Sequence, residues 1–489
     1  MNHSVQKKEN AFLKKFSRTD LLLLAVCLLF YLLFPIFDGP VWCKDSLSYA
    51  GKDISREPLY PMFLALMKVL DGAEISASGM MAAVIVQSLI AGFATWYAGY
   101  VVKKTKNESR VLQFATIGFQ FAVSLLCRFA AIRSSVYIDC IMTEGVCLSL
   151  FVLFTVELYL CMITEKKRHI AAAMILSFLL FSLRKQMLIT IIIMGAVFGW
   201  YYIIRSRKIR KFCALVLLML LALSAGKLLD RTYNYVVRGA WIEHCHNSMG
   251  FLCVLLYTSD VENDQNLFED EILKTLYLDI MEQAEEEQIL YDDAEPGWLP
   301  LAVHFADSYD AIGYGIINPV VEGYIGENFS YSEVEAALKY DEICGGMVSV
   351  LLRQEKGPLM QVWAYNIWRG FVNSIARATN LLSLYSLAAY LFVGAMAWYL
   401  IAQKKKLQNM MQQRPGVAEY ENSIEQIGRS LAFMFIVLIA IAVNSLTVGL
   451  TIFTQPRYML YSMGLFYAAG SMMLYDILRI ELIKRRKPL

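Results

Sequence analysis

Charge is scarce in this chain: Asp, Glu, Lys and Arg make up 18% of its 489 residues, where soluble domains carry about 25%. Beside 57% apolar residues and a mean hydropathy of +0.46, that shortfall excludes an ordinary multidomain soluble protein. The formal net charge is only +2, so the whole chain has no electrostatic attraction for nucleic acid. Chemical signatures are missing as well. There is no Walker A loop, no GxGxxG opening a helix, no GxSxG and no HExxH, which removes the commonest ATPase, nucleotide-sugar and hydrolase readings. No internal repeat or low-complexity tract is present. The ten cysteines contain no CxxC pair.

What the chain has instead is long apolar runs. A bilayer crossing takes about 20 apolar residues, because a helix satisfies its own backbone polar groups. Leu21–Phe37, Gly79–Val102, Val111–Cys127, Val136–Ile163, Ile170–Leu183, Met187–Ile204, Phe212–Leu229, Leu381–Ala402, Ser430–Leu450 and Tyr458–Ile477 qualify, predicting an all-α polytopic membrane protein of about ten spans. The first run follows a basic segment but precedes no small-x-small cleavage site, so it reads as an uncleaved signal anchor.

Every second connection is basic: Lys7/Lys8/Lys14/Lys15/Arg18, Lys103/Lys104/Lys106/Arg110, Lys166/Lys167/Arg168, Arg205/Arg207/Lys208/Arg210/Lys211, Lys404/Lys405/Lys406 and Lys484/Arg485/Arg486/Lys487. Lys and Arg in short connections stay on the cytoplasmic side. Both termini are therefore expected in the cytoplasm of a multi-pass membrane protein.

Two connections on the other side are long. Residues 38–77 follow the first span, and residues 230–380 separate an N-terminal membrane module (1–229) from a C-terminal one (381–489). The 230–380 segment holds 25 acidic and 8 basic side chains, a net of −17, leaving +19 for the rest. Its length and sign predict a small, mainly helical extracytoplasmic domain. Asn266–Leu290 has amphipathic spacing, and Ser332-x-x-Glu335 has the form of a capping box. Trp363, Tyr365, Trp368 and Phe371, with Arg369 and Arg377, suggest a helix lying at the outer interface. Cys43, Cys245, Cys253 and Cys344 are expected outside the spans, with their pairing left open.

The chemistry-bearing stretch is the first outer loop. It runs Trp42-Cys43-Lys44-Asp45-Ser46, then Ser55-Arg56-Glu57-Pro58-Leu59-Tyr60-Pro61. An acid just after span one, followed by Arg-x-Pro-x-Tyr-Pro leading into an apolar helix, resembles the GT-C superfamily of integral-membrane glycosyltransferases. The nearest branch is the protein-mannosyltransferase and aminoarabinose-transferase type, with bacterial relatives acting on lipids or cell-wall glycans. The local likeness covers residues 38–70, and a likeness of layout extends over about 1–230 and 380–480. Many relatives carry an Asp-Glu pair where this chain has Asp45-Ser46. The acidic segment resembles nothing nameable.

That resemblance implies a polyprenyl-phosphate sugar donor, an extracytoplasmic acceptor, and a place in the bacterial cytoplasmic membrane. Such transfer needs a base for the acceptor's proton and cations for the departing phosphate. Asp45 is the candidate base; a solvated loop acid is the plainer reading. Arg56 is a phosphate contact or a loop brace, Pro58 and Pro61 suit a helix start, and Tyr60 is expected beside the bilayer.

Glu144, expected about two turns inside span four, is costly there unless paired or hydrated. It is either a cavity acid, as in the family, or a structural partner of an arginine. Asp139 is expected nearer water. Arg128, Arg133, Arg184, Lys185 and Arg457, with Tyr458, gather at outer helix ends. Arginine's fixed fork suits phosphate, although each could equally snorkel.

Glu243-His244-Cys245-His246 is a weak metal candidate, with Glu144 or His304 as completing ligands. The family leaves a divalent metal open, since some members use one and others do not. Two rivals remain. A lipid-linked-saccharide transporter expects two related, Gly/Pro-broken halves, and no duplication is found. A noncatalytic assembly protein would tolerate loss of Asp45 and Arg457 together.

Overall fold

The computed structural model describes residues 16–71, 80–130, 135–413 and 418–486. Among them no sheet forms, and the one bridge recorded is a parallel contact between Val41 and Cys140. Helices account for nearly everything else, as expected for an all-α polytopic membrane protein. Eight are long and apolar enough to cross a membrane: Arg18–Asp38, Met81–Thr105, Arg110–Phe129, Glu144–Thr164, Lys185–Arg205, Ile209–Arg238, Asn380–Gln413 and Ala418–Thr451.

The expected count of ten is not reached by that measure. The fifth expected span is a helix of only 17 residues, Lys167–Leu183. The tenth, Met463–Arg486, carries Asp476 and Arg479 within its apolar stretch.

The expected fourth span is shortened for a clear reason. Its helix begins at Glu144, and residues 135–143 are not helical. Ser135 Oγ accepts the Tyr137 N–H (3.0 Å), Tyr137 takes a positive φ of 64°, and the Val41 N–H reaches the Asp139 carbonyl (2.8 Å). The local Ser135 bond and the long-range contact with Val41 together offer the backbone an alternative to the helix. Asp139, expected nearer water, is fully buried and accepts from Ser135 Oγ (2.7 Å).

Several charged side chains inside the apolar bundle are paired, which offsets their desolvation. The first helix starts with a capping box between Ser17 and Asp20. The same Asp20 receives Lys103 Nζ (2.5 Å) and Arg110 Nη1 (2.7 Å). Lys106 reaches Asp476 (2.6 Å) and Ser430 (2.9 Å), which joins three helices. His169 and Tyr97 both meet Glu157 (2.6 and 2.5 Å). Elsewhere the outward faces are apolar, including Leu29, Ile36, Leu217, Leu221, Leu384, Leu391 and Trp398, as lipid contact demands.

Residues between the two membrane modules fold around a separate core, to which Phe453 of the C-terminal module contributes. Met249–Tyr257 is its central helix, packed among Tyr277, Ile280, Phe305, Ile312, Ile343 and Met347. The expected amphipathic helix begins at Glu271, capped by Asp270, which accepts from the Ile272 and Leu273 N–H groups. The Ser332 capping box forms and starts Glu333–Leu351.

The helix expected at the interface, Lys356–Asn373, is held differently. Trp363 and Tyr365 pack on the domain core, and Asn366 Nδ2 donates to the Gly449 carbonyl (2.9 Å). A Cβ on Gly449 would lie 3.0 Å from the Ile367 backbone, so glycine permits this close docking. Arg369 donates to the Ala302 carbonyl. The domain is thereby seated on the same end of the bundle as the first long loop, with Ile54, Cys245 and Ala337 in one small apolar cluster.

Candidate functional site: an acid–arginine ladder at the domain-bearing end

In the first loop, Asp45 precedes a short helix, Ser46–Ala50. Its carbonyl accepts from Ser48 Oγ (2.7 Å), which leaves the carboxylate free to point elsewhere. Pro58 stands just before Leu59–Asp71 and Pro61 in its first turn, where a missing N–H costs nothing. Ahead of that helix, Arg56 folds back, donating to Ser48 Oγ (2.8 Å) and lying over the Tyr49 ring (4.6 Å). Asp45 Oδ1 accepts from Arg56 Nη2 at 3.2 Å.

The other oxygen, Asp45 Oδ2, accepts from Arg457 Nη1 at 3.1 Å across most of the chain's length. Arg457 belongs to the turn Pro456–Met459, ahead of the last helix. Its Nη2 donates to Tyr458 OH (2.9 Å), and its Nε lies 3.8 Å from Glu144. Glu144, the first residue of its helix, meets Arg184 Nη1 at 2.5 Å. Arg184 occupies the one-residue extended break between Lys167–Leu183 and the turn at Lys185, and also donates to Thr143 Oγ1 (3.2 Å). The Tyr458 ring lies within 4.8 Å of Arg184 and 4.9 Å of Arg457, so both cations face aromatic density.

The result is a ladder running Arg56, Asp45, Arg457, Glu144, Arg184. Three guanidiniums face two carboxylates, so the ionised group carries one net positive charge. It also has an open and a closed end. The Asp45 side chain is 27% exposed, Arg184 15% and Glu144 1%. Burial alone would raise the Asp45 carboxyl, but Arg457 and Arg56 outweigh it and hold the group below its ordinary range. Asp45 is therefore ionised at neutral pH.

Other expected contributors lie elsewhere. Tyr60 is fully buried, donating to Gln87 Oε1 (2.9 Å); Gln87 in turn donates to the Ile138 and Cys140 carbonyls (2.7 and 3.0 Å). It braces the loop and faces neither lipid nor ladder, because its ring is stacked edge-on under Tyr49. Lys185 turns toward the domain, with its backbone N–H on Glu57 and its Nζ on Asn247. Arg128 pairs with Asp38 (2.8 Å). Arg133, like Lys7, Lys8, Lys14, Lys15 and Lys487, lies outside the described residues.

The metal candidates diverge. His244 Nδ1 bonds Asp230 (2.6 Å), His246 stacks on Tyr340 (4.4 Å), and Glu243 pairs with Arg231 (2.9 Å). Glu144 is taken by arginine and His304 by Tyr257 (2.9 Å). Among the described residues no group of three or more His, Cys, Asp or Glu is placed to hold a metal ion. These donors do not fit one.

Several contributors escaped the sequence reading. Gln186 and Asn444 both donate to the Tyr458 carbonyl (3.0 and 2.8 Å) and so hold the Arg457 turn. Neither belongs to a motif: Gln186 follows Arg184 and Lys185, and Asn444 precedes Ser445 in an apolar run. From the domain, Asp310 comes within electrostatic range of Arg457, Lys44 and Asp45, and Tyr314 within range of Arg56 and Asp45. Asp310 precedes and Tyr314 lies within a π-helical turn at Ala311–Ile317, a local irregularity frequent at functional sites.

No protein-family model matches this chain, and no curated protein or solved structure matches it either.

Proposed function

We propose that this protein is a membrane glycosyltransferase that takes a sugar from a polyprenyl-phosphate donor and passes it to an extracytoplasmic acceptor, a glycan, lipid or polymer. The observation that carries this reading is the ladder: Asp45 held between Arg56 and Arg457 at the half-open end of a net-positive, aromatic-lined cluster. Apolar helix faces beside it would accept the lipid chain. The basic connections lie at the opposite helix ends, which favours an outward-facing domain and ladder.

Arginine forks match phosphate bidentately, and a phosphate entering at Asp45 competes for the donors of Arg56 and Arg457. As those donors move to phosphate, Asp45 loses the contacts that hold its proton affinity down. Its oxygens then accept the acceptor hydroxyl's proton while the arginines hold the leaving group. Glu144 keeps Arg184 and Arg457 in register at the closed end.

The test is transfer by purified Asp45→Asn protein from a polyprenyl-phosphate sugar, where we expect a loss of about 100-fold or more. Wild-type rates from a folded Asp45→Asn protein would end the assignment. The full ion pairing also favours a second reading, a structural clasp between the first loop and the last helix. Under it, Asp45→Asn lowers the melting temperature and no donor protects the wild type against unfolding.

A further inference from the structure

The bridge between Val41 and Cys140 brings two cysteines together. Val41 N–H donates to the Asp139 carbonyl (2.8 Å) and Ile141 N–H to the Val41 carbonyl (3.0 Å). Two residues past that bridge, Cys43 Sγ lies 3.8 Å from Cys140 Sγ. Both backbones are pinned: Cys43 N–H donates to Ser46 Oγ (2.8 Å), and the Cys140 carbonyl accepts from Gln87 (3.0 Å). Cys140 was expected inside a span and so outside any pairing. The non-helical course of 135–143 moves it to the bundle end that carries the first loop.

We propose that Cys43 and Cys140 are a disulfide-forming pair that staples the loop carrying Asp45 to the segment that leads into Glu144. Bond formation needs the sulfurs to close from 3.8 Å to about 2.05 Å. Cys43 is partly exposed and Cys140 fully buried, so Cys43 is the thiol that meets the oxidant. Its thiolate attacks a disulfide of the thiol–disulfide exchange class and releases one thiol. Cys140 then displaces the second thiol from the mixed disulfide, leaving one new S–S bond and two thiols for the disulfide consumed.

The staple acts on the candidate site by position. Asp45 lies two residues beyond Cys43 and Glu144 four beyond Cys140, and the two acids share Arg457. Oxidation fixes both carriers covalently; reduction leaves them joined by the bridge and the ladder alone. The inference rests on that end facing an oxidising compartment and holds whether or not the chain transfers a sugar.

The experiment uses the full chain purified in detergent without reductant. Thiols are alkylated, the protein is digested, and linked peptides are sought by mass spectrometry before and after oxidised glutathione. A Cys43–Cys140 peptide that disappears on reduction and is absent from Cys43→Ser and Cys140→Ser supports the staple. Both cysteines recovered as separately alkylated peptides, even after oxidised glutathione, overturn it. So does either cysteine linked to a different one. On the wild-type protein alone, reduction is expected to speed hydrogen exchange of residues 40–50 about tenfold. Unchanged exchange in a protein shown to carry the bond overturns the clamping role.

Discussion

Removing the charge of Glu144 tests the closed end of the ladder. Its side chain is 1% exposed and its oxygen lies 2.5 Å from Arg184, itself 15% exposed. Breaking a buried pair by deleting one partner costs about 3–5 kcal/mol, because the other charge stays buried without compensation. Arg184 keeps the Thr143 hydroxyl and the Tyr458 ring and is partly wet, so Glu144→Gln belongs near the low end, about 3 kcal/mol. Arg184→Met should cost less, about 2 kcal/mol, since Glu144 retains Arg457 at 3.8 Å. Replacing both removes both desolvation penalties, so the double variant should be less destabilised than the two losses summed, with a coupling of about 2 kcal/mol. Reversible unfolding of the detergent-solubilised protein, run as a double-mutant cycle, measures this. Additive losses, or a Glu144→Gln protein within about 0.5 kcal/mol of wild type, would refute the idea that this pair bears on stability.

Two further outcomes follow from packing and protonation. Gly449→Ala sets a methyl 3.0 Å from the Ile367 backbone, so the domain helix must shift; we expect a loss of about 1–3 kcal/mol and faster proteolysis of 356–373, and an unaltered melting curve would contradict the close docking. His244 is pulled down by burial but raised above its ordinary 6.5 by the Asp230 bond and then by Glu57. The stability it contributes is full below pH 6.5 and is lost as pH rises through the raised value. Melting curves collected across that range should show this decline in wild type and a flatter profile in His244→Gln; identical profiles would remove the His244–Asp230 contact from the account.

Much of the architecture was legible in the sequence because its causes are local. A run such as Leu21–Phe37 satisfies its backbone internally wherever it lies, and Ser332 with Glu335 caps a helix from three residues apart. The candidate residues were partly legible for a similar reason: Asp45, Arg56, Arg184, Arg457 and Glu144 are costly at membrane ends unless used or paired. Tyr60 was misread because tyrosine near a bilayer has two stable places, the interface or a buried hydrogen bond, and Gln87 supplies the second. Asp139 was misread with span four, since nothing local foretold a bridge to Val41.

The sequence by itself determined an all-helical membrane chain with an acidic domain inserted between two modules, since hydropathy and charge act over short windows. Only the tertiary structure decided which charges meet. Asp45 and Arg457 are joined by no periodicity or motif, and their contact exists because the first loop, the fourth span's start and the last helix's turn converge under the domain. The same convergence sets Cys43 beside Cys140, while His244 and His246 take separate partners, Asp230 and Tyr340. Side-chain chemistry limits what each residue could do. Desolvation at the shared end of the bundle makes the opposite charges pair there.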